Sequence, residues 1–399
     1  MTGRRAEAGA GGRGDRTVAD LELPAMILHD AAIDRNIRVM ADWCRTAGVA
    51  LAPHAKTHMS RDLVERQAAA GAWGFTAATP AQVRTLAGWG VRRVLQANVL
   101  VDPLAIRWVA EHLLAADAAT EYLCYVDSDA GLDLLLAELG QLRPARALPL
   151  LVELGFAGGR TGVRDDGAAL ALARRVAASP HVRLAGVSAF EGLMPAGDDP
   201  AAPRGAVELL GRVRALVGAI AAEGLVAGVP VVTAGGSSYP DLVLRELAPA
   251  RWESPVTTVL RSGCYVTHDH GIYARTSPLG SGRGTGALVA AFELRASVLS
   301  QPEEGLAVVG FGRREAPTDD RLPVVLGVPG DEGRDVAGWE VTGVNDHHAF
   351  LRVPPGTVLA PGTVLRFGIS HPCGAFDRWR HLPLVDLDGR VVGEITPAL

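Results

Sequence analysis

The sequence predicts an α/β chain, a (β/α)8 TIM-type barrel followed by a smaller, mostly antiparallel β domain. Three observations carry that expectation. Eight short apolar runs alternate with seven helix-forming stretches between about residues 24 and 266, the arithmetic of an eight-stranded parallel barrel. The runs are continuous rather than alternating, as in strands buried on both faces. After a glycine-rich link at 280–286 the texture changes to short β-prone segments split by Pro and Gly. An open, doubly wound sheet is the main rival, and no Gly-rich dinucleotide fingerprint follows the first strand to support it.

In chain order, residues 1–16 are rich in Gly, Ala and Arg and lack the apolar middle of a signal peptide. They read as a disordered leader spanning 1–20. Residues 34–47 place Ile37, Met40, Ala41 and Cys44 on one helical face, and Gly48 stops that helix. Barrel strands are expected at 49–52, 74–77, 93–97, 121–127, 148–154, 184–190, 230–233 and 257–261. Thr79-Pro80 is an N-cap with proline at the first helical position. Further helices are expected at 128–140, 167–178 and 204–223. The barrel domain is therefore 21–270 and the β domain 271–399. Within the latter, 288–299, 305–312, 339–353 and 364–370 are strand-like, and 384–394 forms a hairpin turning at Asp388-Gly389.

The chain has 399 residues, 48% hydrophobic and 21% charged, with a net charge of −5, a balance normal for a soluble enzyme. No basic stripe interleaved with aromatics suggests nucleic acid, and no apolar stretch is as long as a membrane span. Cys44, Cys124, Cys264 and Cys373 show no paired spacing, which reads as reduced thiols in a cytoplasmic protein.

Lys56 is the one lysine in a chain with 39 Lys+Arg residues. Arginine supplies charge elsewhere but cannot give up its proton near neutral pH. A lone lysine, flanked by His54 and His58 and preceded by an apolar run, therefore marks a position that needs a neutral amine, as Schiff-base chemistry does. In a barrel, the active site gathers where strands end. Lys56 follows the first strand, and 155–160, with its glycines and Arg160, follows the fifth. Gly235-Gly236-Ser237-Ser238 and Ser262-Gly263-Cys264-Tyr265 follow the seventh and eighth, where barrels often hold a phosphate on backbone N–H groups. Together these favour pyridoxal 5'-phosphate (PLP).

Ser370-His371-Pro372-Cys373 offers an imidazole and a thiolate two residues apart. That pair suits Zn2+ or another divalent metal, with positions left open for water or substrate. Asn345-Asp346-His347-His348 is either a source of an outer or third ligand or a polar turn. His268-Asp269-His270 reads as a polar loop rimming the site.

Pro53-His54-Ala55-Lys56-Thr57-His58 resembles the PLP-lysine motif of the fold-type III, alanine racemase-like enzymes related to D-serine dehydratase and D-threonine aldolase. Gly236-Ser237-Ser238 and Gly263-Cys264-Tyr265 resemble that family's phosphate-binding turns, and Arg160 its arginine near the cofactor. His371 and Cys373, continuing to Phe376-Asp377-Arg378-Trp379, resemble the zinc motif of the eukaryotic-type D-serine dehydratases. The resemblance implies a homodimeric PLP enzyme acting on a D-amino acid that bears a β-hydroxyl. Cysteine at 373, where the aldolase branch tends to carry a carboxylate, favours elimination to an α-keto acid and ammonia over retro-aldol cleavage to glycine and an aldehyde. Two departures stand out: Asp346-His347 occupies the place of an acidic pair, and Phe190 stands where a hydrogen-bonding residue is expected. The reading from a different class is a non-catalytic PLP-binding protein, which the added β domain disfavours.

Overall fold

The computed structural model describes residues 16–194, 202–281 and 285–398. Most of the expected leader and the centre of the glycine-rich link lie outside the described residues.

The first strand, β1 (Ala25–His29), leads into the helix Asp30–Thr46. Eight strands then follow: β2 (Ala50–Leu51), β3 (Phe75–Ala77), β4 (Arg93–Val99), β5 (Glu121–Val126), β6 (Leu148–Leu154), β7 (Val182–Ala189), β8 (Val231–Ala234) and β9 (Thr257–Leu260). They coincide with the eight apolar runs. All neighbours pair in parallel, in the order β2-β9-β8-β7-β6-β5-β4-β3. The seam between β2 and β3 is bridged just past the strand, at His54–Thr76. There Trp73 N–H donates to the Leu51 carbonyl at 2.8 Å and Thr76 N–H to the Pro53 carbonyl at 2.9 Å. The barrel thus closes on the residues that lead into Lys56. Its strands are apolar because both faces are covered: every residue of β6 is buried between the barrel interior and the outer helices. Thr79 caps the helix Pro80–Gly88 by accepting from Gln82 N–H, as its sequence signal predicts.

The second sheet comprises β10 (Phe292–Glu303), β11 (Leu306–Val309), β12 (Val324–Gly327), β13 (Glu340–Val344), β14 (Ala349–Arg352), β15 (Val364–Gly368), β16 (Leu382–Val385) and β17 (Val391–Ile395). Its backbone order is β13-β14-β11-β10-β1-β16-β17, with β15 pairing both β10 and β12. β16 and β17 form the hairpin expected around Gly389. All pairings are antiparallel except β1 with β16.

β1, which falls in the range expected for the barrel, hydrogen-bonds into this second sheet, with Ala25–Leu28 opposite residues 292–295. Met26, Ile27 and Leu28 are completely buried there. The helix Asp30–Thr46 returns to the barrel through buried Asn36, whose amide donates to the carbonyls of Val266 and Val289. The short helix Pro372–Phe376 reaches the turn Ala55–Thr57, where the Phe376 ring meets His58 edge-on at 6.1 Å. Ala398 N–H closes onto the Met59 carbonyl at 2.7 Å. The β domain is therefore seated against the lysine turn.

Candidate active site

A cavity of about 210 Å3 opens at the strand ends. Lys56 enters it from the 3-10 turn Ala55–Thr57, directly after the barrel seam. His54 lines the same wall. Its imidazole is held well below its ordinary pKa, first by burial and then by the Lys56 and Arg261 charges, so it stays neutral beside the amine.

Around the ring, Tyr125 comes from β5, Glu153 from β6, and Arg160 and Thr161 from the loop after β6. Arg164 fixes that loop by donating to the carbonyls of Gly159, Arg160, Thr161 and Gly162 at 2.6–3.1 Å. Arg160 lies 4.5 Å over the Phe190 ring, a cation–π contact. Phe190, where a polar group was expected, thus serves as a platform for that guanidinium.

Sequence reasoning missed Arg261. It is 3% exposed, donates to Thr233 Oγ1 and the Ala189 carbonyl at 2.7 Å each, and lines the cavity. Its charge directly follows the apolar run of β9, so in sequence it looks like the end of a strand. Two buried carboxylates face this cation. Burial raises the pKa of Glu153, and its Oε2 has no hydrogen-bond partner among the described residues. Burial also raises that of Glu191, which accepts N–H bonds from Gly235 (3.1 Å) and Gly236 (3.0 Å). The N–H of Gly236, expected to meet a phosphate, is therefore already engaged by a carboxylate, and Ser237 and Ser238 are the turn's remaining lining residues.

Gly263 is required by space rather than by torsion. A Cβ there would lie 2.6 Å from the His54 carbonyl oxygen and 2.7 Å from Thr57 Oγ1. Its neighbours diverge. Tyr265 turns away from the cavity, and its buried hydroxyl accepts from Gln67 Nε2 at 2.9 Å. Cys264 turns in, and its sulfur lies 3.6 Å from that of Cys373 and 3.7 Å from Thr57 Oγ1.

The β domain supplies the opposite wall. His371 adopts φ +78°, a conformation uncommon outside glycine, at the head of the helix Pro372–Phe376. Its Nδ1 is hydrogen-bonded to Asp319, which leaves Nε2 to face a ligand. The donor atoms of Cys264, His371 and Cys373 all lie within 4.8 Å of one another. The Cys373 sulfur and Asp319 push the His371 imidazole up to about 9. The Cys264 thiol, followed by His371, holds the Cys373 thiol well below its ordinary range. Asn345-Asp346-His347-His348 takes no part, being the bend between β13 and β14. Asp346 pairs with Arg313 at 3.0 Å and His347 with Glu315 at 2.7 Å. His268-Asp269-His270 is not a polar rim: His268 and Asp269 are buried, and Asp269 accepts the N–H groups of Gly271 and Tyr273.

These donors fit PLP and a divalent metal. One amine, two guanidinium groups and a small-residue turn suit an anionic aldehyde cofactor, and an imidazole with thiols suits zinc.

Residues 291–385 match a family described as "Putative serine dehydratase domain". The chain is 27% identical to a D-threonine aldolase of Arthrobacter sp., over 89% of this chain and 86% of the relative. It is also 27% identical to a D-threo-3-hydroxyaspartate dehydratase of Delftia sp., over 94% and 97%. The fold matches the crystal structure of a D-threonine aldolase from Filomicrobium marinum with a TM-score of 0.77 at 24% identity, covering 96% and 97%. An alanine racemase-like protein of Idiomarina loihiensis matches with a TM-score of 0.73 at 15% identity, covering 95% and 98%. Family segment, near-full-length relatives and shared architecture agree: the chain is similar over most of its length to D-threonine aldolases and D-3-hydroxyaspartate dehydratases, and it shares the alanine racemase-like fold.

Proposed function

We propose that this protein is a PLP- and metal-dependent lyase that removes the β-hydroxyl of a D-amino acid, giving an α-keto acid and ammonia. The observation that carries the reading is that Lys56 and the His371–Cys373 pair line one cavity from opposite domains. Lys56 Nζ would hold the cofactor aldehyde and, once freed by substrate, take the α-proton. His54, neutral beside it, adds no competing charge. Arg160, Arg261 and the Ser237-Ser238 turn would bind the anionic groups of cofactor and substrate. His371 and Cys373 would hold the metal, and the β domain covers this side of the cavity. When bound, PLP supplies an electron sink for the α-carbon and the metal a Lewis acid for the departing hydroxyl.

Retro-aldol cleavage is the second reading, favoured by the aldolases among the relatives. Cys373 rather than a carboxylate in the metal motif supports elimination. The test is a panel of D-serine, D-threonine and D-3-hydroxyaspartate with paired detection of keto acid plus ammonia and of glycine. Keto acid without glycine supports the dehydratase, glycine with an aldehyde supports the aldolase, and no turnover of any of them contradicts both. The expected homodimer and cytoplasmic location belong to the same reading. No helix among the described residues is long and apolar enough to cross a membrane.

A further inference from the structure

Cys264 belongs by sequence to a turn that resembles a phosphate cradle, yet its side chain is directed at the metal pair. We propose that Cys264 is a third protein ligand, so that the metal is held by a Cys2His set with one position left open for substrate. This rests on the metal half of the function proposed above.

Three observations carry it. First, the Cys264 and Cys373 sulfurs are 3.6 Å apart, and both lie within 4.8 Å of a ligating nitrogen of His371. Two thiolates on a tetrahedral zinc, each at about 2.3 Å, are separated by roughly 3.8 Å. The observed spacing is therefore that of one tetrahedral edge. Second, Cys264 is held in place. It is 5% exposed and follows Gly263, which is pressed against the His54 carbonyl and Thr57. The Thr57 hydroxyl touches both sulfurs, at 3.7 and 3.6 Å. Third, the three ligands come from different parts of the fold. Cys264 follows barrel strand β9, whereas His371 and Cys373 belong to the β domain. An ion bound by all three would tie the β domain to the barrel.

The chemistry changes accordingly. Two thiolates make the donor set softer, which selects zinc over magnesium or manganese. Three protein ligands plus one open position is the pattern of catalytic zinc sites. The β-hydroxyl oxygen of the substrate would take that position alone, with no second site for its carboxylate.

The test is X-ray absorption at the zinc edge on the full-length protein loaded with one equivalent of zinc. The expected result is two sulfur ligands per zinc, falling to one in Cys264→Ser and to one in Cys373→Ser. Zinc affinity of Cys264→Ser, read by chelator competition, should fall by at least the roughly 10–100-fold that loss of an outer-shell partner costs. Melting of the metal-free variant monitors its fold, and the wild-type sulfur count does not depend on any variant. One sulfur per zinc in the wild type, or wild-type affinity in Cys264→Ser, would overturn the proposal and leave the His371–Cys373 site and the lyase reading standing. A wild-type chain that binds no zinc would overturn this proposal and the metal half of that reading together.

Discussion

The two walls of the cavity are built in opposite ways. The barrel wall takes single residues from many strand ends: Lys56 after β2, Tyr125 on β5, Glu153 on β6, Arg261 after β9. Each is positioned by the parallel ladder beneath it. The opposite wall is mainly one short segment, His371 to Cys373, with Tyr273 beside it, and its place depends on the seating of a whole domain. The barrel wall is therefore held by many separate strand pairings, whereas the His371–Cys373 corner depends on a few contacts around Thr57 and Gly263.

The largest effect is expected on the barrel wall. Lys56→Ala should lower turnover by about 1,000-fold or more, within the range general acid–base groups contribute, and abolish the visible absorbance of bound PLP. Melting should change little, since Lys56 is only half-buried. His371→Ala attacks the other wall: elimination should fall on the order of 100-fold, the cost of losing a Lewis acid worth several kcal/mol. The PLP absorbance should survive, which separates the two walls. Gly263→Ala strikes both at once, because its Cβ would overlap the His54 carbonyl and Thr57. A melting loss equivalent to about 1–3 kcal/mol is expected from such overpacking. Asp319→Asn should weaken metal binding by roughly 10–100-fold through the freed imidazole, with melting unchanged, as that carboxylate is about half exposed (51%).

The smallest effect is a pH dependence outside the cavity. Burial holds His58, His268 and His270 each at about 4, below the ordinary 6.5. Between those values the unfolded chain binds more protons than the folded one, so stability should fall as pH drops from about 6.5 to 4. Asp269, pushed up to about 6 by burial, works in the opposite sense below that pH. In His270→Gln the slope of melting temperature against pH should be shallower through this window.

Much of this was legible in the sequence. The eight strands were readable because parallel strands buried on both faces must be apolar runs. Lys56 was readable because no other lysine obscured it. His371 and Cys373 were readable as a pair because they are two residues apart. What escaped depends on distance in the chain. β1 pairs with residues some 265 positions away, and no local pattern tells a barrel strand from one lent to another sheet. Arg261 continues an apolar strand, so its buried hydrogen bonds to Thr233 and Ala189 have no sequence signature. Glu191 follows the end of β7, and only folding brings it to the Gly235 and Gly236 N–H groups. The role of Cys264 was read from its position after a strand, while the direction of its sulfur is set by Gly263 and the β domain.

In the proposed reaction a barrel lysine and a metal held by the β domain act on one substrate in one cavity. Its most direct test is the rate of keto-acid formation by the PLP-loaded protein on its best D-β-hydroxy amino acid, before chelation, after it, and after zinc is restored. Formation should stop with chelation and return with zinc, while the PLP absorbance persists throughout. Keto-acid formation that continues unchanged in the metal-free protein would contradict it.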